Sequence, residues 1–247
     1  MATLRVVGEG EIDSMTEQPE QQKPLRKIQK RTIDGRERII NAAARKFVED
    51  GYRGASLSDI ILDADSNKRF FYNHFPEGKK DVARSIMANT LTMNGLLPQR
   101  LKVQEIYDIG IILAYRVANE DALLAAVKLS FEYGSNEEYG TPWEDWVAFN
   151  TGQLADAQKR GEIRPHVVPA EQARQLPGFW SGLVLTAIVL DGGLHEVETH
   201  ISRAYRNLMA VIAAPEVIPF IDFSADRGER LYLSFLEGQV QKDPAEE

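Results

Sequence analysis

The chain has 247 residues, 43% of them hydrophobic and 27% charged, which suits one large globular domain or a small domain fused to a larger one. It contains no cysteine, which excludes a disulfide framework, a thiolate metal site and a thiol nucleophile. The N-terminus has no long apolar stretch, and we find no segment approaching the ~18 apolar residues of a membrane helix. We therefore expect a cytoplasmic protein that does not bind membranes.

Charge is segregated along the chain, although the formal total is only −8. Residues 1–22 carry one basic and five acidic side chains, a net charge of −4. Residues 23–80 carry 14 basic and eight acidic side chains, a net charge of +6, and residues 81–247 have a net charge of −10. An isolated basic segment attached to an acidic body predicts a module that binds anions, whereas a merely solvated basic face is the simpler alternative.

The predicted elements begin after residues 1–25, where low hydrophobicity and little periodicity indicate a disordered tail. A first helix is predicted over 28–50, because apolar residues recur there at helical spacing. Gly51 is expected to end this helix in a left-handed conformation. Ser56, followed three residues later by an acidic residue, predicts the start of a second, short helix.

A third helix, capped by Asn67 or Ser66, is predicted to run to about Asn73 after a turn of three to four residues. A long helix, a glycine turn and two short helices separated by a tight turn are typical of a helix-turn-helix. We therefore assign residues 26–80 to a three-helix, helix-turn-helix DNA-binding domain.

The rest of the chain is predicted to be helical, which makes the protein all-α. Prolines separate long stretches of helical periodicity, and no long stretch alternates like a strand. We assign residues 81–240 to a larger α-helical domain and residues 241–247 to a disordered C-terminus. The predicted helices of the larger domain span 80–94, 102–118, 120–133, 142–160, 170–190, 197–213 and 225–240.

Residues 67–75, NKRFFYNHF, combine cations and aromatic side chains at the third predicted helix. Lys68 and Arg69 would open that helix, where the partial positive charge of the amide ends adds to their own. Tyr72 and His74 can donate hydrogen bonds to phosphate oxygens, contacts that position a protein on DNA without reading its sequence. The two phenylalanines at 71 and 75 are expected to anchor the helix to the first one.

The segments GRERIINAAARKFVEDGYRGASLSDI and NKRFFYNHFPEGKK resemble the DNA-binding domain of TetR-type transcriptional repressors. The resemblance covers the whole domain and implies a helix-turn-helix that grips operator DNA. Where the family often has Ala-Gly-Val-Thr before the lysine, this chain has Ala-Asp-Ser-Asn at 64–67, so the operator of a relative does not transfer. The residues we assign to DNA binding are Ser56, Asn67, Lys68, Arg69, Tyr72, Asn73, His74 and Lys79.

Segments of the larger domain indicate which branch of the TetR-type family the chain resembles. EIYDIGIILAYRV, TPWEDWVAF and KRGEIRPHVVP are similar to the γ-butyrolactone-receptor branch of that family, which implies a pocket for a small diffusible signalling molecule of γ-butyrolactone or furan type. The resemblance also implies that Trp146 packs on the ligand and that Thr90 contributes a polar contact.

Pocket residues are also expected from composition, because ligand sites between helices are mostly apolar with a few polar groups. An aromatic residue at helical spacing is more often an ordinary core residue than part of a pocket. With the two residues from the resemblance, the assigned ligand-binding residues are Thr90, Val127, Phe131, Tyr133, Trp146, Asn150, Phe179, Leu183 and Thr186.

The predicted helices 170–190 and 197–213 have apolar faces, and the resemblance implies that this pair forms a homodimer interface. A dimer would read two half-sites of a palindromic or pseudopalindromic operator about one helical turn (~34 Å) apart. Ligand binding would then change the spacing of the two reading helices and release the operator, with the predicted helix 80–94 as the lever.

Three other functions compete with that of a ligand-released repressor. A pseudo-receptor would keep DNA binding but respond to a different ligand or to none, and a helical adaptor would bind protein rather than DNA. An enzyme is disfavoured, because the sequence has no glycine-rich phosphate loop, no G-x-S-x-G and no H-E-x-x-H. We expect no metal and no cofactor, since the four histidines are scattered.

Overall fold

The computed structural model describes residues 22–90, 95–132 and 134–240, with side chains described for 33–88, 95–132 and 134–238. This part of the chain is helical, and its only strand-type pairing is a single bridge between Ile163 and Ala213. The all-α prediction is therefore confirmed. The helices are α1 (Gln22–Gly54), α2 (Leu57–Asp63), α3 (Lys68–His74), α4 (Lys79–Thr90), α5 (Lys102–Asn119), α6 (Asp121–Ser130), α7 (Ser135–Glu138), α8 (Trp143–Lys159), α9 (Pro169–Leu190), α10 (Val197–Ile212) and α11 (Arg227–Val240).

Most helix boundaries agree closely with the sequence analysis. Of the predicted N-terminal tail, residues 1–21 lie outside the described residues and α1 begins at Gln22; the predicted C-terminal tail also lies outside them. Gly51 has φ 70 and ψ 172, so a positive φ breaks α1 near its end, as predicted. The one-turn helix α7 and a short 3-10 helix at Ile218–Phe220 were not predicted.

The N-terminal helices share one apolar core. Phe47 of α1, Ile60 of α2, and Phe71 and Phe75 at α3 are fully buried in it, as are residues of α4. The same cluster includes Ala125, Ala126 and Leu129, which belong to α6. The core of the N-terminal helices is thus completed by a helix from the larger domain.

The larger domain is built around α5, whose residues are almost all buried from Val103 to Val117. Helices α6, α8, α10 and α11 pack around it, and α9 packs along α8. The C-terminal helix α11 is fixed to α5 by Arg227, whose guanidinium forms an ion pair with the fully buried Asp108, with Nη2 2.8 Å from Oδ2. Next to this pair, Gly228 lies so close to the Ile111 carbonyl that a Cβ would come within 2.2 Å of the oxygen.

One helix in the described part of the chain, Pro169–Leu190, is long and apolar enough to cross a membrane by length and composition, with a mean hydropathy of 1.2. No helix of this kind is expected from the sequence. The core helix of a soluble protein passes the same test, and α9 packs against α8 with Ala173, Trp180 and Val184 buried.

Candidate functional site

The turn and caps before α3 hold this helix in place. Oδ1 of Asn67 accepts a 2.9 Å hydrogen bond from the Phe70 N–H, which satisfies one of the free amides of the first turn. The turn preceding it contains Asp65 with φ 45, a left-handed conformation that aspartate tolerates better than most residues. Of the two caps that the sequence left open, Asn67 and Ser66, the structure has Asn67.

The exposed side of α3 carries the cations and donors predicted to meet DNA. Lys68, Arg69, Tyr72 and Asn73 are all exposed, whereas Phe71 is fully buried. These four residues occupy positions i, i+1, i+4 and i+5, so they share one face of the helix. Ser56 is half-buried and caps α2 through a long 3.5 Å contact with the Asp59 N–H.

His74 is partly committed to contacts within the protein. Its ring stacks on Phe70 at a centroid distance of 4.3 Å, and Nδ1 lies 2.9 Å from the Phe70 carbonyl oxygen. Nδ1 must carry a proton to donate to that carbonyl, so only a charged imidazolium could also donate from Nε2 to a phosphate.

Lys79 differs from its predicted role. Its Nζ donates hydrogen bonds to the carbonyls of Tyr52 at 2.8 Å and Ala55 at 2.7 Å, and it lies 5.1 Å from the centre of the Tyr52 ring. Burial lowers the pKa of this ammonium. Lys79 therefore caps the C-terminal end of α1 and joins it to α4, which leaves the side chain engaged within the protein rather than directed at DNA.

A cavity lies among α5, α6, α8, α9 and α10 in the larger domain. Its volume is about 60 Å³, several times the ~10–15 Å³ that one water needs, but small for a whole effector. Its lining is mostly apolar with a few hydroxyl and amide groups. The lining residues are Ile109, Leu113, Leu123, Ala126, Val127, Ser130, Pro142, Trp143, Trp146, Asn150, Leu176, Pro177, Trp180, Ser181 and Tyr205.

Three of the predicted ligand-binding residues, Val127, Trp146 and Asn150, line this cavity. Four do not. Phe131 is 50% exposed, because α6 ends one residue before it, and Thr186 is exposed on α9. The other two, Phe179 and Leu183, are partly buried and pack against the core beside the cavity. The side chains of Thr90 and Tyr133 lie outside the described residues.

The cavity contains a polar group that the sequence analysis did not single out. Ser181 has no exposed surface, and its Oγ has no hydrogen-bond partner among the described residues. The neighbouring Trp180 is fixed, since its Nε1 donates a 2.9 Å hydrogen bond to the Gly110 carbonyl. A small residue beside a tryptophan was the only signal in the sequence, and it does not distinguish a pocket wall from ordinary core.

The phenol of Tyr205 also reaches the cavity. It lies against Gly110, where a Cβ would come within 2.7 Å of the hydroxyl oxygen. Burial raises the pKa of Tyr205, so the phenol is neutral at physiological pH. Ser181, Asn150 and Tyr205 thus offer an uncharged set of hydrogen-bonding groups within an aromatic wall.

Helix α6 connects the cavity to the N-terminal helices. Leu123 and Val127 line the cavity, while Nζ of Lys128 donates a hydrogen bond to the Val48 carbonyl of α1. Just after α6, Oε1 of Glu132 accepts a 2.9 Å hydrogen bond from the Tyr52 N–H. A displacement of α6 by a bound molecule would therefore act directly on the end of α1.

Known proteins are similar to parts or most of this chain. Residues 39–86 match the model of the bacterial regulatory proteins of the tetR family, which covers most of α1 to α4. The crystal structure of full-length TylP, a TetR regulator from Streptomyces fradiae, superposes with a TM-score of 0.74 at 27% sequence identity over 83% of this chain and 99% of that one. Residues 39–86 therefore match a tetR-family DNA-binding domain, and the chain as a whole is similar to TetR regulators. TetR-family regulators are not enzymes.

Two further relatives are similar to this chain over most of its length. The A-factor receptor protein of Streptomyces griseus is 28% identical over 193 residues, 78% of this chain and 69% of that protein. The structure of a γ-butyrolactone receptor, an ArpA-like protein, has a TM-score of 0.63 at 18% identity over 83% of this chain and 98% of that one, which supports the fold alone. The resemblance to the γ-butyrolactone-receptor branch is thereby confirmed.

Proposed function

We propose that this regulator is a dimeric repressor that binds a palindromic or pseudopalindromic operator through α3 and is released by a small diffusible molecule of γ-butyrolactone or furan type. The observation that carries the proposal is the double role of α6. This helix lines the cavity with Leu123 and Val127, and its Lys128 is hydrogen-bonded to α1. The similarity to the A-factor receptor supports the class of effector.

The cavity volume suggests how release would occur. At about 60 Å³ the cavity is too small for a molecule with a ring and an alkyl chain, so binding requires the aromatic wall and α6 to move. Movement of α6 would be transmitted to α1 and to α4, both of which it contacts. A coupling of about 1–3 kcal/mol between the two sites would weaken operator binding about 5–150-fold. In this proposal α6 transmits the signal, with α4 as the second connection.

The exposed surface of α9 and α10 supports a homodimer. Val189 and Leu190 near the end of α9 are 79% and 76% exposed, and Val211 of α10 is 63% exposed. A second copy of the chain would cover these side chains, and it would also provide the second α3 that reading two half-sites requires. We place the dimer in the cytoplasm, where its operator would be.

The test is to titrate the purified protein onto the intergenic DNA beside its own gene at two salt concentrations, with and without an organic extract of the host culture. Salt-sensitive, specific binding that the extract abolishes is the expected result. Specific binding that the extract leaves unchanged would favour the pseudo-receptor alternative. Absence of binding at both salt concentrations would contradict the proposal and favour a protein-binding adaptor.

A further inference from the structure

The imidazole of His74, at the C-terminal end of α3, is held through one of its two ring nitrogens. Nδ1 lies 2.9 Å from the Phe70 carbonyl oxygen, and the ring stacks on the Phe70 ring. A carbonyl oxygen only accepts, so Nδ1 carries the proton whenever this hydrogen bond exists. Nε2 then has a lone pair in the neutral ring, and it becomes a donor only when the ring takes up a second proton.

An open groove lies beside His74, between α1, the end of α3 and α4. Its volume is about 420 Å³. The lining contains two arginines and one carboxylate, so the groove favours an anion even while the imidazole is neutral. The lining residues are Arg36, His74, Phe75, Pro76, Asp81, Arg84, Ser85 and Ala88.

Helix α1 brings Arg36 to this groove because it approaches α3 closely at the preceding residue. Gly35 lies against the same Phe70 ring on which His74 stacks, so close that a Cβ would come within 2.6 Å of the ring. The Arg36 guanidinium lies over the Phe75 ring at 5.4 Å, and its Nη2 donates a 2.9 Å hydrogen bond to Oγ of Ser85. These contacts fix the guanidinium, and most of its five N–H donors are not used by the described side chains.

The other charged groups that face His74 across the groove are already paired. Nη1 of Arg84 lies 3.0 Å from Oε1 of Glu77 and 3.5 Å from Oδ1 of Asp81. The second oxygen of Asp81 accepts a 2.7 Å hydrogen bond from the Glu77 N–H. Arg36, by contrast, forms no ion pair with any described side chain. An anion in the groove would therefore meet Arg36 as an unpaired cation, and His74 as a second cation once the imidazole is protonated.

We infer that this groove binds one phosphate of the operator backbone between Arg36 and His74, and that His74 takes up a proton when the phosphate binds. A guanidinium and an imidazolium both donate charge-assisted hydrogen bonds to phosphate oxygens. The position of the groove favours DNA as the source of the phosphate, because His74 belongs to α3 and the exposed side of that helix carries Lys68 and Arg69. The inference rests on the proposed operator binding.

Operator binding should therefore weaken as the pH rises. Histidine is the side chain whose charge changes between pH 5 and 8, and a nearby phosphate favours the charged form. The complex then holds more protons than the free protein and DNA together, so affinity falls with increasing pH. Between about pH 6 and about pH 8 we expect a loss of about fivefold for each half-site.

The experiment is an anisotropy titration of the footprinted operator at about pH 6, 7 and 8 and constant ionic strength. His74→Gln keeps a neutral hydrogen-bond donor, so its affinity should change with pH much less than that of the wild type. The matched control is His166→Gln, which removes an exposed imidazole from the larger domain and should keep the wild-type dependence. Thermal melts at each pH verify that the variants are folded.

A second pair of variants tests the guanidinium. Arg36→Gln should bind the operator about five- to tenfold more weakly at every pH, and its slope of log K against log salt should be less steep by about 0.9 for each half-site. The matched control, Arg38→Gln, removes the same charge from an exposed position of α1 outside the groove, and its affinity should change less than about twofold. Equal losses in the two variants would show that only the total charge of α1 matters and would overturn the inference.

Uncharged methylphosphonates, placed singly along the operator backbone, identify the phosphate. At one position in each half-site the wild type should lose its pH dependence, and Arg36→Gln should lose little further affinity. A pH dependence that no methylphosphonate removes would mean that the groove binds a free anion rather than DNA, and a wild-type dependence retained by His74→Gln would equally overturn the inference. If the wild type binds no operator at any of these pH values, the proposed function itself is wrong and this inference falls with it.

Discussion

The backbone N–H of Tyr52 donates a 2.9 Å hydrogen bond to Oε1 of Glu132, and so joins the end of α1 to the residue two positions after α6. The Tyr52 ring also packs on Tyr139 at a centroid distance of 4.9 Å, and burial raises the pKa of Tyr52 to about 12. The end of α1 is therefore held by the segment that follows the cavity wall, and in the proposed mechanism this contact would carry the signal from the effector to the N-terminal helices.

The substitution Glu132→Gln tests that route. Removing the charge weakens a hydrogen bond worth about 1.5–3 kcal/mol when fully formed, less at this partly exposed site. We expect operator affinity to change less than about threefold and effector-induced release to need roughly five- to tenfold more effector. Operator and effector titrations measure both quantities.

The control for this prediction is Glu138→Gln. Glu138 meets the Tyr52 hydroxyl only through a long 3.4 Å contact, so its removal should change little. Equal effects of the two variants would show that the negative charge of the segment, rather than the Glu132 hydrogen bond, matters.

Substitution of Ser181 is predicted to lower the affinity for the effector without lowering the stability of the protein. Because its Oγ is buried without a partner among the described residues, Ser181→Ala should leave the free energy of unfolding unchanged or raise it by up to about 1 kcal/mol. If the hydroxyl hydrogen-bonds the effector, affinity for the effector falls roughly five- to tenfold. Thermal unfolding and effector titration of the same preparation measure the stability and the affinity for the effector.

The exposed Thr186→Ala on the same helix is the matched control for Ser181, and it should leave effector affinity unchanged. A stable Ser181→Ala protein with normal effector affinity would mean that the hydroxyl is only a core residue.

Substitution of Asp65, in the turn before α3, is predicted to increase the affinity for DNA. Asp65 has φ 45, and its carboxylate lies in the turn that leads to Lys68 and Arg69. Asp65→Gly removes both the left-handed strain, about 1 kcal/mol or less for aspartate, and a negative charge near the phosphates. We expect a higher Tm and operator binding tightened about two- to fivefold at low salt.

Asp65→Asn separates the two causes, because asparagine tolerates the left-handed conformation as well as aspartate does but carries no charge. Asp65→Asn should bind the operator as tightly as Asp65→Gly does, but its Tm should rise less. Unchanged operator affinity in both variants would place Asp65 away from the DNA backbone.

Local signals in the sequence explain which features could be predicted. The cap at Asn67, the buried Phe71 and the exposed Lys68 follow from the spacing within one short helix, and the structure has all three. Lys79 belonged to the same basic stretch, yet its hydrogen bonds go to the carbonyls ending α1. Sequence proximity could not show that contact, because it depends on how two helices meet.

The cavity was harder to predict for the same reason. Val127 and Phe131 are four residues apart and would share a helix face, but α6 ends at Ser130, so only Val127 reaches the cavity. Helical spacing likewise suggested Thr186, which is exposed, and missed Ser181 on the same helix. The choice between these positions depends on the tilt of α9 against α8, which periodicity does not encode.

The last prediction concerns pH and stability. Burial, together with the nearby carboxylates of Glu229 and Asp226, raises the pKa of Glu198 from 4.5 to about 7. The folded protein therefore holds a proton more tightly than the unfolded chain. Deprotonation of Glu198 costs stability as pH rises from 4.5 to 7, and the cost is fully present above pH 7.

Glu198→Gln removes that cost. We expect the variant to unfold at a higher temperature than wild type at about pH 8, while the two proteins unfold at nearly the same temperature at pH 4.5, as thermal melts at both pH values would show. Glu196→Gln, an exposed residue just before α10, is the control and should change the melting temperature equally little at both pH values. The reverse dependence, with Glu198→Gln stabilising only at low pH, would mean that the folded protein favours the charged carboxylate, which contradicts the burial of this side chain.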